Sequence, residues 1–231
     1  MSTLSIIVPT LNEAAGIVAQ LMSLQPLRGR GVQVIVVDGG SSDGTAGLAS
    51  PLVDAVASAA RGRAVQMNAG AGLARGEVLL FLHADTRLPE SADLLVGDAL
   101  ADEQRTWGRF DVAIEGVHPL LRVVAWSMNQ RSRLTGIATG DQAMFVRRSA
   151  FERVGGFPDL PLMEDIALSR RLKRLGRPLC LRARVMTSAR RWVRLGVLRT
   201  IVLMWALRVG YWLGVDPRRL AKAYASVPRA P

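Results

Sequence analysis

Apolar, largely β-branched runs alternate with helix-period segments from the start of the chain. Runs at 4–8, 32–37, 53–58 and 77–82 read as strands, and 13–24, a segment beginning near Asp43, 64–74 and 90–101 read as helices. Such alternation argues for a mostly parallel sheet covered by helices on both faces, so the fold class is α/β. Up to about residue 106 the layout is that of a Rossmann-like nucleotide-binding half. Past Trp107 the rhythm loosens into a strand at 109–114, a helix at 120–133, a strand at 142–146 and Gly/Pro punctuation at 155–161. A helix at 166–175 follows, with Ile166, Leu168, Leu172 and Leu175 apolar and Gly176 as its stop. One domain with a C-terminal appendage is expected, and a looser second half (107–192) is where α/β enzymes commonly build an acceptor pocket. Residues 193–231 read as a C-terminal amphipathic helical appendage ending in a frayed tail at 226–231.

Composition changes this picture little. The 231 residues carry a formal charge of +11, but Lys occurs only at Lys173 and Lys222. Arg-rich, Lys-poor usage follows from coding bias as readily as from an anionic partner. Aromatic residues are 5% and the arginines are scattered without basic–aromatic interleaving, which argues against nucleic acid. The single Cys180, beside Pro178, Leu179 and Leu181, cannot form an internal disulfide and reads as a buried thiol in a strand, which fits the cytosol. No basic or long apolar leader precedes the first strand, so the expected place is cytoplasmic or peripheral on the inner face of the cell membrane.

The segment 197–213 is apolar but interrupted by Arg199 and Arg208, too charged to span a bilayer. An interfacial helix would set Trp205, Tyr211 and Trp212 at headgroup level and turn Arg194, Arg199, Arg208, Arg218 and Arg219 to anionic lipid. Packing on the core or on a second subunit explains the segment equally well, and the oligomeric state stays open.

Three places bear candidate chemistry. The run Val78-Leu79-Leu80-Phe81-Leu82 stops at His83-Ala84-Asp85, which sets a carboxylate at the sheet's edge where a divalent cation and a diphosphate share it. Val36-Val37-Asp38-Gly39-Gly40 ends another strand in an acid followed by glycines that let a ligand approach the backbone. Asp38 there reads as a ligand contact and Asp43 as a helix cap. Pro9 closes the first strand, and Thr10, Asn12 and Glu13 either cap the next helix or, with Asp38, flank one base-binding crevice.

Taken in order, SIIVPTLNE, VVDGGSSDGT, RGRAVQMNAGAGLARGEVLLFLHADT and GGFPDLPLMEDIALSRRLKRLG resemble successive blocks of the family 2 glycosyltransferases, over roughly residues 4–192. The resemblance implies a GT-A fold, a nucleotide-diphosphate sugar as donor and inversion at the anomeric carbon. It implies that Pro9, Thr10, Asn12, Glu13 and Asp38 hold the nucleoside, that Arg63, Asn68 and Ala84 contact the donor, and that Asp85 ligates Mg²⁺ or Mn²⁺. His83 stands where the family usually has Asp. As a softer ligand it would tilt the site toward Mn²⁺; otherwise it is a strand-end histidine bonded to a neighbour.

In Met163-Glu164-Asp165 the resemblance makes Asp165 the general base, with Glu164 supporting the acceptor or the loop, although acids are common at helix starts. Ser188-Ala189-Arg190-Arg191-Trp192 resembles the Gln-x-x-Arg-Trp element of processive members, with Ser188 replacing Gln. Arg190 or Arg191 would neutralise the diphosphate and Trp192 would stack on the acceptor, one sugar being added per lipid or small-molecule acceptor, with transfer to a polyprenyl phosphate as the alternative. Asp141 and Gln142 either line the acceptor side or form a plain turn. Two other classes are weighed: a sugar-phosphate nucleotidyltransferase, expected to carry a Gly-rich basic loop where this chain has Leu11-Asn12-Glu13-Ala14, and a non-enzymatic adaptor for anionic membrane or nucleic acid.

Overall fold

Successive residues of the first strand point to opposite faces, and both faces are buried: Leu4, Ile6 and Val8 join one core layer and Ile7 the other. The computed structural model describes residues 3–225; the tail expected at 226–231 lies outside them. In chain order the elements are β1 (Leu4–Thr10), α1 (Ala14–Met22), α2 (Gln25–Gly29), β2 (Gln33–Asp38), α3 (Thr45–Ala49), β3 (Ala55–Ser58), α4 (Arg63–Leu73), β4 (Val78–Phe81), β5 (Thr86–Arg87), α5 (Ala92–Ala99), β6 (Trp107–Ile114), α6 (Pro119–Thr135), β7 (Phe145–Arg147), α7 (Arg148–Arg153), α8 (Glu164–Leu172), β8 (Leu179–Thr187), α9 (Arg190–Leu195), α10 (Val197–Trp212) and α11 (Pro217–Ala225).

The strands form one sheet in the order β3-β2-β1-β4-β7-β6-β8-β5. It is mixed: β1 pairs in parallel with β2 and β4, β2 with β3, and β6 with β8, whereas β7 runs antiparallel between β4 and β6 and β5 antiparallel on β8. The strand–helix rhythm announced only the parallel part. The run expected as a strand at 142–146 divides into a 3-10 turn, Gly140–Gln142, and the three-residue β7, which leads directly into α7. A strand that short has no periodicity from which to read its direction.

One core layer joins Ile17, Leu21 and Leu24 to Val96, Leu121, Ala125 and Met128. The other lays α4, α7 and α8 on the opposite face through Met67, Phe151 and Leu168. There α4 approaches closely because Gly70 has no Cβ; one placed there would lie 2.4 Å from Ile7 Cγ2.

The C-terminal helices dock on the body rather than standing clear of it. Leu207 and Leu220 are buried with Met163, and Leu203, Met204 and Tyr211 pack around them. This corrects the placement of two residues expected at a lipid surface: Tyr211 lies in this cluster and Arg208 is half-buried. The 3.6-residue period puts both on the face that carries Thr200, Met204 and Leu207. Among the described residues no helix is long and apolar enough to cross a membrane.

Candidate active site

The carboxyl ends of β1, β2 and β4 meet at one crevice, as expected for an open α/β sheet. At its base Asp38 is buried and engaged by its own loop and by Thr10 of β1. One carboxylate oxygen accepts from the Gly40 and Ser41 N–H groups at 3.0 and 2.8 Å, and the other from the Ser41 and Thr10 hydroxyls. Burial alone would raise this carboxyl, but the donors from Ser41, Gly40 and Thr10 hold it below the usual carboxylate range. Asp38 thus shapes the glycine loop.

Asn12, at φ 54°, accepts from Ser42 N–H at 2.9 Å, and its own N–H donates to the Ser41 hydroxyl at 2.8 Å. Asp43 caps more widely than expected, accepting from Thr45 N–H and, at 2.9 Å, from Ala14 N–H at the start of α1. Neither Thr10 nor Asn12 caps that helix. Beneath both loops Gln66 donates to the Thr10 and Val37 carbonyls, each at 2.8 Å, clasping the ends of β1 and β2. Sequence reasoning passed over Gln66. Asn68, two residues nearer α4's end, spends its amide on the Phe157 N–H and carbonyl, tying the Gly155–Gly156 turn to α4. Pro9 is half-buried, in register with Val37.

His83 and Asp85 are parted by a turn. Thr86 N–H donates to the His83 carbonyl at 3.1 Å, so His83-Ala84-Asp85-Thr86 reverses into β5 with Ala84 buried. Asp85 meets the C-terminal part of the chain because β5 pairs with β8, Thr86 opposite Thr187. Its carbonyl accepts from Ser188 N–H, and its carboxylate lies 3.7 Å from the Arg190 guanidinium, which also donates to Glu13 at 2.9 Å. Arg190 therefore bridges two carboxylates that are distant in sequence, and the hydrogen bond to Glu13 leads its upward pKa shift. Trp192 packs against the core. The Arg191 side chain lies outside the described residues.

His83 turns the other way, its Nδ1 3.1 Å from an Asp141 carboxylate oxygen. Its ring lies against Gly140; a Cβ there would sit 2.3 Å from His83 Nε2. The Gly140 N–H donates to Asp165 at 2.9 Å, and Ile166 N–H donates to the other Asp165 oxygen at 2.7 Å. Asp141, Gly140, His83 and Asp165 thus form one contiguous group at the N-terminus of α8, where free N–H groups favour an anion. Of the two readings of Gln142, the turn matches the structure: it ends the Gly140–Gln142 3-10 turn fully buried, its amide closing on Thr139 N–H and Asn129.

The two acids of Met163-Glu164-Asp165 are placed differently. Glu164 is buried, and burial, reinforced by the adjacent Asp165 charge, raises its carboxyl, against the pull of Arg63 and His83. Arg63, in the first turn of α4, keeps exposed surface. Ahead of both acids Met163 has φ 68°, an uncommon conformation for a non-glycine residue, and Leu207 and Leu220 pack against it. The C-terminal helices thereby fix the entry to the helix that carries Asp165.

Among the described residues no group of three or more His, Cys, Asp or Glu side chains gathers as a metal site. Asp85 does fit a hard cation held jointly with a substrate diphosphate, since Mg²⁺-type sites commonly take one or two carboxylates and complete their shell with phosphate and water.

The sequence profile described as glycosyl transferase family 2 matches residues 5–155. The chain belongs to glycosyl transferase family 2. The GT-A fold agrees with solved structures: S. aureus TarS 1–349 in complex with UDP-GlcNAc (TM-score 0.66, 19% identity, covering 80% of this chain and 58% of that one). The mannosyltransferase PcManGT from Pyrobaculum calidifontis, in complex with GDP-Man and Mn²⁺, gives a TM-score of 0.64 at 24% identity, covering 100% of this chain and 66% of that one. Glucosyl-3-phosphoglycerate synthase from Mycobacterium tuberculosis, in complex with Mn²⁺, UDP and glucosyl-3-phosphoglycerate, gives 0.58 at 20%, covering 80% and 71%. The family 2 chain therefore spans less than two thirds of the first two. Among curated proteins no sequence matches it.

Proposed function

We propose that this family 2 chain transfers one sugar, with inversion, from a nucleoside diphosphate sugar to a hydroxyl or phosphate of a lipid or small-molecule acceptor. The observation that carries the reading is the pairing of two stations along one rim: Asp85 with Arg190, suited to a diphosphate, and Asp165 with Gly140 and His83, suited to a base. The nucleoside side is the crevice of Pro9, Thr10, Asn12, Glu13 and Asp38. Asp165 takes the proton of the attacking hydroxyl, and Arg190 stabilises the charge that develops on the departing diphosphate. Asp85 is the protein ligand for Mn²⁺ or Mg²⁺, which when bound supplies charge neutralisation on the diphosphate. Neighbours solved with GDP-Man and Mn²⁺ or with UDP-GlcNAc support that donor class. Residues 1–192 form the catalytic unit and 193–231 the helical appendage. A nucleotidyltransferase is disfavoured because the loop after β1 is not a basic phosphate cradle; its Asn12 is tied to Ser41 and Ser42.

A thermal-shift panel of nucleoside diphosphates, each with and without Mn²⁺, tests the donor site. One diphosphate should stabilise the protein in a metal-dependent way, by about 2.7 kcal/mol at a hundred times its dissociation constant. No response to any of them would remove the donor reading.

The outward face of α10 supports a peripheral position on an anionic membrane. Leu198, Val202, Trp205, Val209 and Trp212 are exposed at alternating four- and three-residue steps, with Arg199 exposed among them. Co-sedimentation with vesicles rich in phosphatidylglycerol should fall severalfold when Trp205 and Trp212 are both replaced by Ser. Equal sedimentation of the two proteins would discard this surface.

A further inference from the structure

Two arginines that none of the roles above uses lie on helices in contact with one another, within electrostatic reach of Asp165. Arg131 projects from α6 and Arg208 from α10, helices that pack on one another. The Nε and Nη2 groups of Arg131 are buried and have no hydrogen-bond partner. Arg208 is half-buried and makes no ion pair with a described residue. Buried guanidinium donors left unpaired are costly, and a second like charge beside them adds to the cost. Burial, and next the Arg208 charge, lower Arg131 to about 10; burial lowers Arg208 as well. The carboxylates whose charges act on both are Asp165 and Asp141, the acids of the base station. Arg190, by contrast, answers to Glu13 and Asp85 at the diphosphate station.

Elsewhere in the fold the buried Arg109 and the half-buried Arg148 are both paired. Arg109 reaches Asp111, Ser132 and Asn129, and Arg148 donates to the Ala71, Ala74 and Gly76 carbonyls. Against that pattern, the unpaired Arg131 donors stand out.

We propose that Arg131 and Arg208 form an oxyanion subsite for the acceptor: a phosphate or carboxylate on the acceptor binds at the α6–α10 junction and so presents its nucleophilic oxygen to Asp165. Naming the ligand as acceptor rests on the sugar-transfer reading; the oxyanion site itself does not. A planar guanidinium fork suits a tetrahedral phosphate or planar carboxylate, and a dry setting strengthens each bond.

The test is calorimetric titration of inorganic phosphate at constant ionic strength into the wild type, R131M and R208M, with nucleoside diphosphate and Mn²⁺ present and absent. Phosphate should bind the wild type alongside the nucleotide and at least about tenfold more weakly in each variant. R131M should melt no lower than the wild type in phosphate-free buffer, because an apolar isostere replaces an uncompensated buried charge. Unchanged phosphate affinity in the variants overturns the subsite, and displacement of phosphate by the nucleotide reassigns the arginines to the donor and overturns the acceptor role. If R131M does not fold, R208M decides alone. If no nucleotide binds, the donor reading fails while the phosphate comparison still decides the subsite. Geranyl phosphate and glycerol 3-phosphate, used as competitors, separate a lipid from a soluble source; failure of both to displace phosphate also overturns the acceptor role.

Discussion

Replacing Asp165 with Asn is expected to lower kcat by about 10²–10⁴-fold, the usual worth of a positioned general base, while nucleoside diphosphate binding is retained. The amide has the shape of the carboxylate and keeps one acceptor for the Gly140 or Ile166 N–H, so the α8 N-terminus stays in place. Proton uptake is lost. Single-turnover kinetics with nucleotide titration would separate the two effects.

The variant also discriminates between the neighbouring acids. Glu164 is raised by burial and by the adjacent Asp165 charge, so Asp165→Asn removes the second cause and moves Glu164 back toward its ordinary range. If Glu164 were the base, Asp165→Asn would keep turnover and its pH–rate limb would shift to lower pH. Retained turnover of that kind rejects Asp165.

Much of the donor half was legible because parallel strands buried on both faces read as unbroken apolar runs; 4–8 and 32–37 correspond closely to β1 and β2. Asp38, the acid closing the second run, sits at the end of β2 for the same reason. What the sequence did not disclose is where side chains spend their hydrogen bonds. Asp38 and Asn68 each look like ligand contacts in a motif, and nothing in the motif announces that one also holds its own glycine loop and the other the Phe157 backbone. Gln66 is silent in one dimension because its partners, the Thr10 and Val37 carbonyls, meet only when β1 and β2 pair.

The arginines show the same limit more sharply. In a chain rich in Arg, every guanidinium between apolar residues reads as a solvent or lipid contact. Arg208 and Arg199 both interrupt the apolar stretch of α10, and they part company only because α10 packs through the face that carries Leu207. Only the surroundings of Cys180 pointed to β8, along which Arg182, Arg184 and Met186 are exposed and Val185 and Thr187 are buried. Its parallel pairing with β6, interrupted between Phe110 and Asp111, is a long-range fact that no local pattern encodes.

That irregularity lies beside the site of the largest expected loss of stability. Arg109 and Asp111, two apart on β6 and so on one face, meet α6: Arg109 donates to Ser132 at 2.9 Å and to the Asn129 carbonyl at 3.1 Å, and Arg133 donates to Asp111 at 2.7 Å. Asn129 completes the joint by pairing with both backbone groups of Val112. Asp111→Ala strands the fully buried Arg109 without its counter-charge and should cost about 3–5 kcal/mol, read as a lower urea midpoint. Burial alone would raise the Asp111 carboxyl, but Arg133 and Arg109 together hold it below the usual range. Its contribution is therefore complete above the unfolded pKa of about 3.9 and is lost as pH falls through the lower folded value, so the gap between wild type and variant should narrow only under acid. A gap below about 1 kcal/mol at neutral pH, or one that persists unchanged well below pH 3, would show that this joint does not hold α6 to the sheet.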